Sequence, residues 1–372
     1  MAKAKYKKRA DGRYMTRVWN GTYKDNGQKN YEVLYSNKSS KDLEEKVTDF
    51  KASIKSGEYV IKKDISFYEY SQIWMKTYKG TKELNTQKMY GWIIPKYMSK
   101  LEYVMVYDVK RFHLQSLINE SWEHPRTCRI IYQTFKQIVK AAIYDRMLPA
   151  TALMDIFYEI DMPKYKVKER RVLTEEEKQA IQTAKFSDKE KAFVYIIYGC
   201  GLRRGETLAL TIYDIDFKKK EISITKAVEF DGNRPNIKSP KSQNGFRQVP
   251  MPGFLVSFLR GYISSLDTEY LFTTKSKEMM TETSYRRMWS SIIKKMNLAA
   301  GGTKQIQVIH GLTAHIFRHN YCSSLCYQVP DISIKKIAKM LGDTEKVVMN
   351  VYSHILEEQE QTEKAIENAI NF

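Results

Sequence analysis

Residues 199–210 read GCGLRRGETLAL, and the interpretation of the chain turns on Gly201, Leu202 and Arg203, with Glu206 three positions further on. The glycine interrupts an apolar run, and the arginine stands at the start of the next apolar segment. Three further stretches belong with it: PKSQNGFRQVP at 240–250, LTAHIFRH at 312–319 and VVMNVYSH at 347–354. They bring Lys241, His315, Arg318 and Tyr352 into the same account.

A phosphodiester is anionic, and in-line displacement at phosphorus places still more charge on the equatorial oxygens. Guanidinium groups suit that charge because they stay protonated and present a planar fork of donors. A tyrosine attended by two arginines, a lysine and a histidine therefore suits attack on a phosphodiester without a metal, and predicts a covalent bond between protein and DNA. Taken singly, each arginine reads equally as a surface or ion-paired side chain. The combination carries the inference.

Bulk composition points the same way. The 372 residues hold 62 Lys and Arg against 43 Asp and Glu, a net charge of +19. This implies a polyanionic partner, nucleic acid first and an anionic membrane surface second. Cys128, Cys200, Cys322 and Cys326 form no CxxC pair, which fits reduced, buried thiols. No signal peptide and no apolar run of membrane-spanning length is read, so the expectation is a soluble protein of the cytoplasm.

Along the chain, five segments are expected. Residues 1–60 read as a small α+β module, a three-stranded sheet with one helix. Residues 1–30 carry nine Lys or Arg against two Asp, with turns at Asp11-Gly12 and Asn20-Gly21 and strands over 13–19 and near 31–35. Ser39 or Ser40 would cap a helix burying Leu43, Val47, Phe50 and Ile54. Arg13, Arg17, Lys24 and Lys29 are its candidate DNA contacts.

Residues 64–160 read as all-helical. Phe67, Tyr70, Trp74 and Tyr78 form one stripe, and Cys128, Ile131, Phe135, Ile138, Ala142 and Ile143 form another. A break or bend is expected at Pro95. Lys76, Lys79, Lys136 and Lys140 would face DNA. A basic linker, 161–171, contributes Lys166 and Lys168 and ends where Thr174 and Glu177 can form a capping box. Residues 172–356 mix helices with strands at 215–225 and 236–250, the latter folded back at Asn244-Gly245. Residues 357–372 form an amphipathic tail that either packs on its own domain or docks on a neighbouring protomer.

Gly-Leu-Arg203 with Glu206, Lys241-Ser242 ahead of Arg-x-Val-Pro, His315-x-x-Arg318, and Leu341-Gly342 ten residues before Tyr352 together resemble the tyrosine recombinase (phage integrase) family. The order and rough separations match throughout 172–356. More loosely, residues 1–60 resemble the arm-type module of integrases from phages and conjugative transposons of Gram-positive bacteria, and residues 64–160 the core-binding domain. The resemblance implies a mainly helical catalytic domain with a small antiparallel sheet.

It also implies roles. Tyr352 would be the nucleophile leaving a 3′-phosphotyrosine, and Arg203 and Arg318 would hold the non-bridging oxygens. Lys241 would protonate the leaving 5′-oxygen, His315 would act as base or phosphate ligand, and Glu206 would position Arg203. Lys238 is a weaker acid candidate. No cofactor or metal is called for. The partners implied are double-stranded attachment sites, a tetramer on DNA, and a DNA-bending protein or excisionase. Type IB topoisomerases share the tyrosine chemistry, and a non-catalytic DNA-binding regulator could share the fold. Those are the alternatives.

Asp343 departs from the pattern, which commonly has histidine or tryptophan there as a donor to the phosphate. A carboxylate would repel a phosphate. Asp343 or Thr344 is therefore expected to cap the helix carrying Tyr352, and Asp343 to be no phosphate ligand. His315 and His319 have the spacing of a zinc pair, but the intervening Ile316 and the lack of a third ligand argue against a metal.

Overall fold

The computed structural model describes residues 4–24, 26–165, 171–240 and 243–359. The chain divides into two compact units, Met1–Val167 and Lys168–Phe372.

The first unit opens with an antiparallel pair, β1 (Tyr14–Tyr23) and β2 (Lys29–Ser36), followed by helix α1 (Ser40–Ser56). Val18 on β1 packs against Leu43 and Val47 of α1, with Tyr14, Leu34 and Phe50 around them. Ser39 caps the helix, its hydroxyl accepting from the Asp42 N–H at 3.1 Å.

Two expectations are corrected here. The described residues pair only two long strands, because the chain turns tightly at Arg9–Gly12 and leaves no more than an isolated bridge from Lys8 to Tyr14. Asn20-Gly21 is also not the hairpin turn. The register shifts there between Trp19 and Tyr23, and the turn falls at Lys24–Gln28. Gly21, with φ +82°, leaves room for Arg146, whose Nη1 donates to the Asn20 carbonyl at 3.0 Å. A bulge can absorb an Asn-Gly pair in place of a turn.

The rest of this unit is helical: α2 (Phe67–Trp74), α3 (Leu84–Tyr97), α4 (Arg111–Glu120), α5 (Pro125–Tyr144) and α6 (Ala152–Phe157). The predicted α5 stripe is buried from Cys128 to Ala142, with Ile143 half-buried at its end, and Phe135 stacks on Phe67 at 4.6 Å. The stripe on α2 stops at Trp74. A π-helical turn, Met75–Lys79, rotates the next residues off the buried face and leaves Tyr78 exposed. Pro95 does not break α3, which runs two residues further and tightens into a 3₁₀ turn at Met98–Leu101.

In the second unit, α7 (Glu175–Thr183) begins with the expected Thr174–Glu177 capping box. Helices α8 (Asp188–Cys200) and α9 (Arg204–Leu208) follow. Five short strands come next: β3 (Ile215–Asp216), β4 (Glu221–Ile224), β5 (Ala227–Asp231), β6 (Arg234–Lys238) and β7 (Arg247–Pro250). The unit closes with α10 (Gly253–Ser264), α11 (Glu282–Ala299), α12 (Ala314–Cys326), α13 (Ile334–Leu341) and α14 (Glu345–Gln359).

The expected fold-back at Asn244-Gly245 does not occur. β6 pairs with β5, whereas β7 crosses to β4 in the sheet β3-β4-β7. Residues 243–245 form a 3₁₀ turn on the way. Helix α12 serves two cores. Its Phe317 enters the large one with Phe193 and Phe272, while Cys322 and Cys326 enter a smaller one with Ile337, Leu341 and Val348. All four cysteines are buried and free. No helix among the described residues is long and apolar enough to cross a membrane.

Candidate active site

Helix α8 ends at Gly201 in the left-handed conformation, φ +62°, its N–H bonded to the Ile197 carbonyl. A Cβ there would lie 2.4 Å from the Tyr321 ring, so turn and close approach both demand glycine. Leu202 is buried and anchors the turn, and Arg203 emerges at the start of α9. The Glu206 carboxylate reaches back one turn, accepting from the Arg203 N–H at 2.8 Å and from Nη1 at 2.9 Å.

Glu206 is shared. Arg247 on β7 donates Nη2 to its Oε2 at 2.8 Å and Nη1 to its Oε1 at 3.1 Å. Arg247 also donates Nε to the Met340 carbonyl at 2.8 Å. Burial opposes the charged carboxylate, but the hydrogen bonds from Arg247, and then the charges of Arg247 and Arg203, outweigh it and hold Glu206 below its usual range.

The sign of the consequence follows. A carboxyl lowered by folding contributes stability above its unfolded value and loses that contribution as pH falls through the folded one. The melting temperature is therefore expected to drop as pH is taken from about 6 to below about 4, and Glu206→Gln to flatten part of that drop. A thermal-melt series in which variant and parent run parallel would contradict the assignment.

Arg318 lies one turn beyond His315 on α12 and is only 3% exposed. It donates Nη1 to the Gly201 carbonyl at 2.9 Å, and Nη2 to the Leu341 carbonyl and to Asp343 Oδ2, both at 2.5 Å. Burial lowers its pKa first and the charge of Arg203 second, while Asp343 opposes both. His315 is exposed at the N-terminal end of α12, and its ring meets that of His319 edge-on at 4.4 Å.

Asp343 does not behave as the expected helix cap. Its Oδ1 accepts from Arg203 Nη2 and its Oδ2 from Arg318 Nη2, so one carboxylate bridges the two arginines. The backbone carbonyl of Thr344 makes the first bonds of α14, to Val347 and Val348. Two guanidiniums are stronger partners for a carboxylate than free backbone N–H groups. Gly342 sets this up: it ends α13 at φ +64°, and a Cβ on it would stand 2.8 Å from both Arg247 Nη1 and the Asn244 carbonyl.

Of these groups, Arg203, Glu206, Gly342 and Asp343 line a cleft of about 520 Å³ with Lys238, Pro240, Asn244, Gly245 and Val347, while Arg247 and Arg318 stand behind its wall. Lys241 lies outside the described residues. Lys238 donates to Glu229 at 2.8 Å. Tyr352 is half-buried on α14 against the smaller core and is not part of the cleft lining. Val347 does line it, and five residues of helix place Tyr352 roughly 7.5 Å further along the axis.

The sequence pattern includes Arg247 in Arg-x-Val-Pro without assigning it a role. The alternation of β7 is the signal that identifies it. Arg247 shares the buried face with Val249, and an arginine on an apolar face needs a buried partner.

The expected DNA contacts are placed differently from one another. Arg17 and Trp19 lie on the β1 face turned away from α1, opposite Val33 and Tyr31. On the same sheet Arg13 stacks over Tyr35 at 5.2 Å, and Lys29 over Trp19 at 5.0 Å. Lys24 is exposed at the hairpin turn, and Lys76 and Lys140 are exposed on their helices. Lys136 is half-buried over Tyr132 and Phe157. Lys79 is engaged inward, donating to Gln137 at 2.8 Å and lying over Trp74. It is a packing residue, contrary to the expectation. Lys166 and Lys168 lie outside the described residues, as does the tail beyond residue 359.

The Phage integrase family matches residues 170–359. A tyrosine recombinase XerC-like protein of Caldanaerobacter subterraneus subsp. tengcongensis is 22% identical over 370 residues, covering 90% of each chain. The transposase from transposon Tn916 of Enterococcus faecalis is 24% identical over 201 residues, 50% of this chain and 48% of its own. The Tn1549 transposon integrase, solved in complex with a circular intermediate DNA, aligns over 78% of this chain and 95% of its own, at TM-score 0.66 and 19% identity. The family match covers nearly all of the unit in which Arg203, Arg247 and Arg318 converge, and the chain belongs to the phage integrase family of tyrosine recombinases.

Proposed function

We propose that the chain is a site-specific DNA recombinase that cleaves and rejoins duplex DNA through a 3′-phosphotyrosine and a Holliday junction. The observation that carries the reading is the convergence of Arg203 and Arg318 on a single pair of anionic oxygens at the cleft, those of Asp343. Two forked cations aimed at one anion make a seat for a phosphate.

In the reaction, Tyr352 Oη attacks phosphorus and loses its proton to His315. The bond from phosphorus to the 5′-oxygen breaks, and Lys241 supplies the proton that the leaving oxygen takes up. Arg203 and Arg318 hold the non-bridging oxygens, with Glu206 orienting Arg203. The phosphotyrosine conserves the ester, so attack by a 5′-hydroxyl from a partner strand reverses the step without ATP.

Exchange in pairs among four protomers gives the junction, with a DNA-bending protein and an excisionase setting direction. The sheet face of Arg13, Arg17 and Lys29, with Lys24 at its turn, serves the arm-type sites. Lys136, Lys140, Lys166 and Lys168 serve the core, and residues 357–372 dock on a neighbouring protomer. The Tn1549 integrase carries circular intermediate DNA, which supports the DNA partner.

The test is a suicide-substrate assay on the genomic junctions flanking the gene. The parent chain is expected to form a covalent adduct, and Tyr352→Phe none. An adduct that persists in Tyr352→Phe would overturn the assignment of the nucleophile.

A further inference from the structure

We infer that Asp343 is a carboxylate latch on the phosphate seat. Without DNA it fills the position that the scissile phosphate's non-bridging oxygens would take, and the phosphate must expel it to bind. The identity of the incoming anion rests on the recombinase reading above; the latch rests on the geometry of the cluster.

Like a phosphodiester, a carboxylate presents two oxygens on one centre, so the same donors fit either. Asp343 uses both, one on each arginine. The two anions cannot share the seat, because an ionised carboxylate beside a phosphate is a like-charge contact. Nor can Asp343 replace the donor usual at this position in the family, since an ionised carboxylate only accepts.

The cluster is built so that Asp343 can leave without collapsing it. Arg203 is held independently by Glu206, and Arg318 by the carbonyls of Gly201 and Leu341. Behind them Arg247 braces Glu206. The backbone of Asp343 is fixed, its N–H bonded to the Ala338 carbonyl after the left-handed Gly342, so only the side chain needs to rotate. That side chain is 25% exposed towards the cleft, whereas that of Arg318 is 4% exposed. The exit is open on the cleft side.

Charge supplies the energetic argument. Within the cluster three guanidiniums face two carboxylates, leaving one positive charge in excess. Rotation of Asp343 into the cleft restores a second positive charge when the phosphate enters. The latch therefore raises the threshold for seating any phosphate, and duplex held firmly elsewhere on the protein passes that threshold more readily than duplex that is not.

The experiment uses the full chain and two probes. The first is inorganic phosphate, read as a thermal shift at ionic strength matched with chloride. Asp343→Asn is expected to bind it about tenfold more tightly than the parent, because the competing charge is gone. Asp343→Ala is expected to do the same and covers the case in which asparagine keeps one arginine contact.

The second probe is a suicide duplex carrying either a normal phosphate or a neutral methylphosphonate at the cleavage position. Asp343→Asn is expected to speed adduct formation on the phosphate about tenfold and to leave the methylphosphonate rate unchanged. A purely structural Asp343 would change both rates together, and that result would overturn the latch. Unchanged or weaker phosphate binding in both variants would also overturn it. If the parent forms no adduct at all while the variants still gain phosphate binding, the recombinase reading fails and the latch stands.

Discussion

Arg247→Ala is expected to destabilise the second unit by about 3–5 kcal/mol, the cost of leaving a buried charge without its partner. The side chain is 1% exposed, and two of its nitrogens bond Glu206 while a third bonds the Met340 carbonyl. Removing it strands most of the Glu206 charge in the interior and opens a void between β7 and α13. Chemical denaturation of the full chain would measure the loss. The double variant Arg247→Ala, Glu206→Gln is expected to recover part of it, because the amide carries no charge to strand. A single-variant loss below about 1 kcal/mol, or no recovery in the double variant, would show that the pair does not brace the site.

Arg318→Lys is expected to lower the single-turnover rate of adduct formation on the order of 10³-fold while the protein stays folded. The charge is kept, so the comparison isolates shape. Arg318 spans the Gly201 and Leu341 carbonyls and the anion seat at once. A guanidinium does this with one rigid fork, whereas an ammonium on a flexible stem offers a single point of donation. The rate would be read on the suicide substrate, with a thermal melt as control. A reduction smaller than about tenfold, with a melt close to the parent's, would mean that charge alone suffices.

Much of this site was legible before the fold was known. Gly201, Arg203 and Glu206 announce one another, because a turn that ends a helix, a cation and a carboxylate three residues on leave few local arrangements. The helix around Arg318, the capping box at Thr174 and the buried stripe of α5 follow from helical periodicity, which is a local property.

What failed was non-local. Alternation places Arg247 and Val249 on one face of a strand but does not name the neighbouring strand, so the hairpin expected at Asn244-Gly245 gave way to pairing between β7 and β4. Tyr78 left its stripe because one π turn changes the period for every residue after it. Lys79, expected at DNA, is drawn onto aromatic rings that come from two helices.

By itself, the order of residues settled which chemical groups the chain carries, in what sequence, and, where the α-helical period holds, on which faces of their helices. The tertiary structure alone decided what Asp343 and Arg247 do. A carboxylate after a helix-ending glycine can cap the next helix or reach a cation, and the local chain allows both. Gly201 and Arg318 lie 117 residues apart and Arg203 and Asp343 lie 140 apart, and only when those segments pack does a bridging site exist for Asp343 to occupy. The stronger charge-assisted partner then wins.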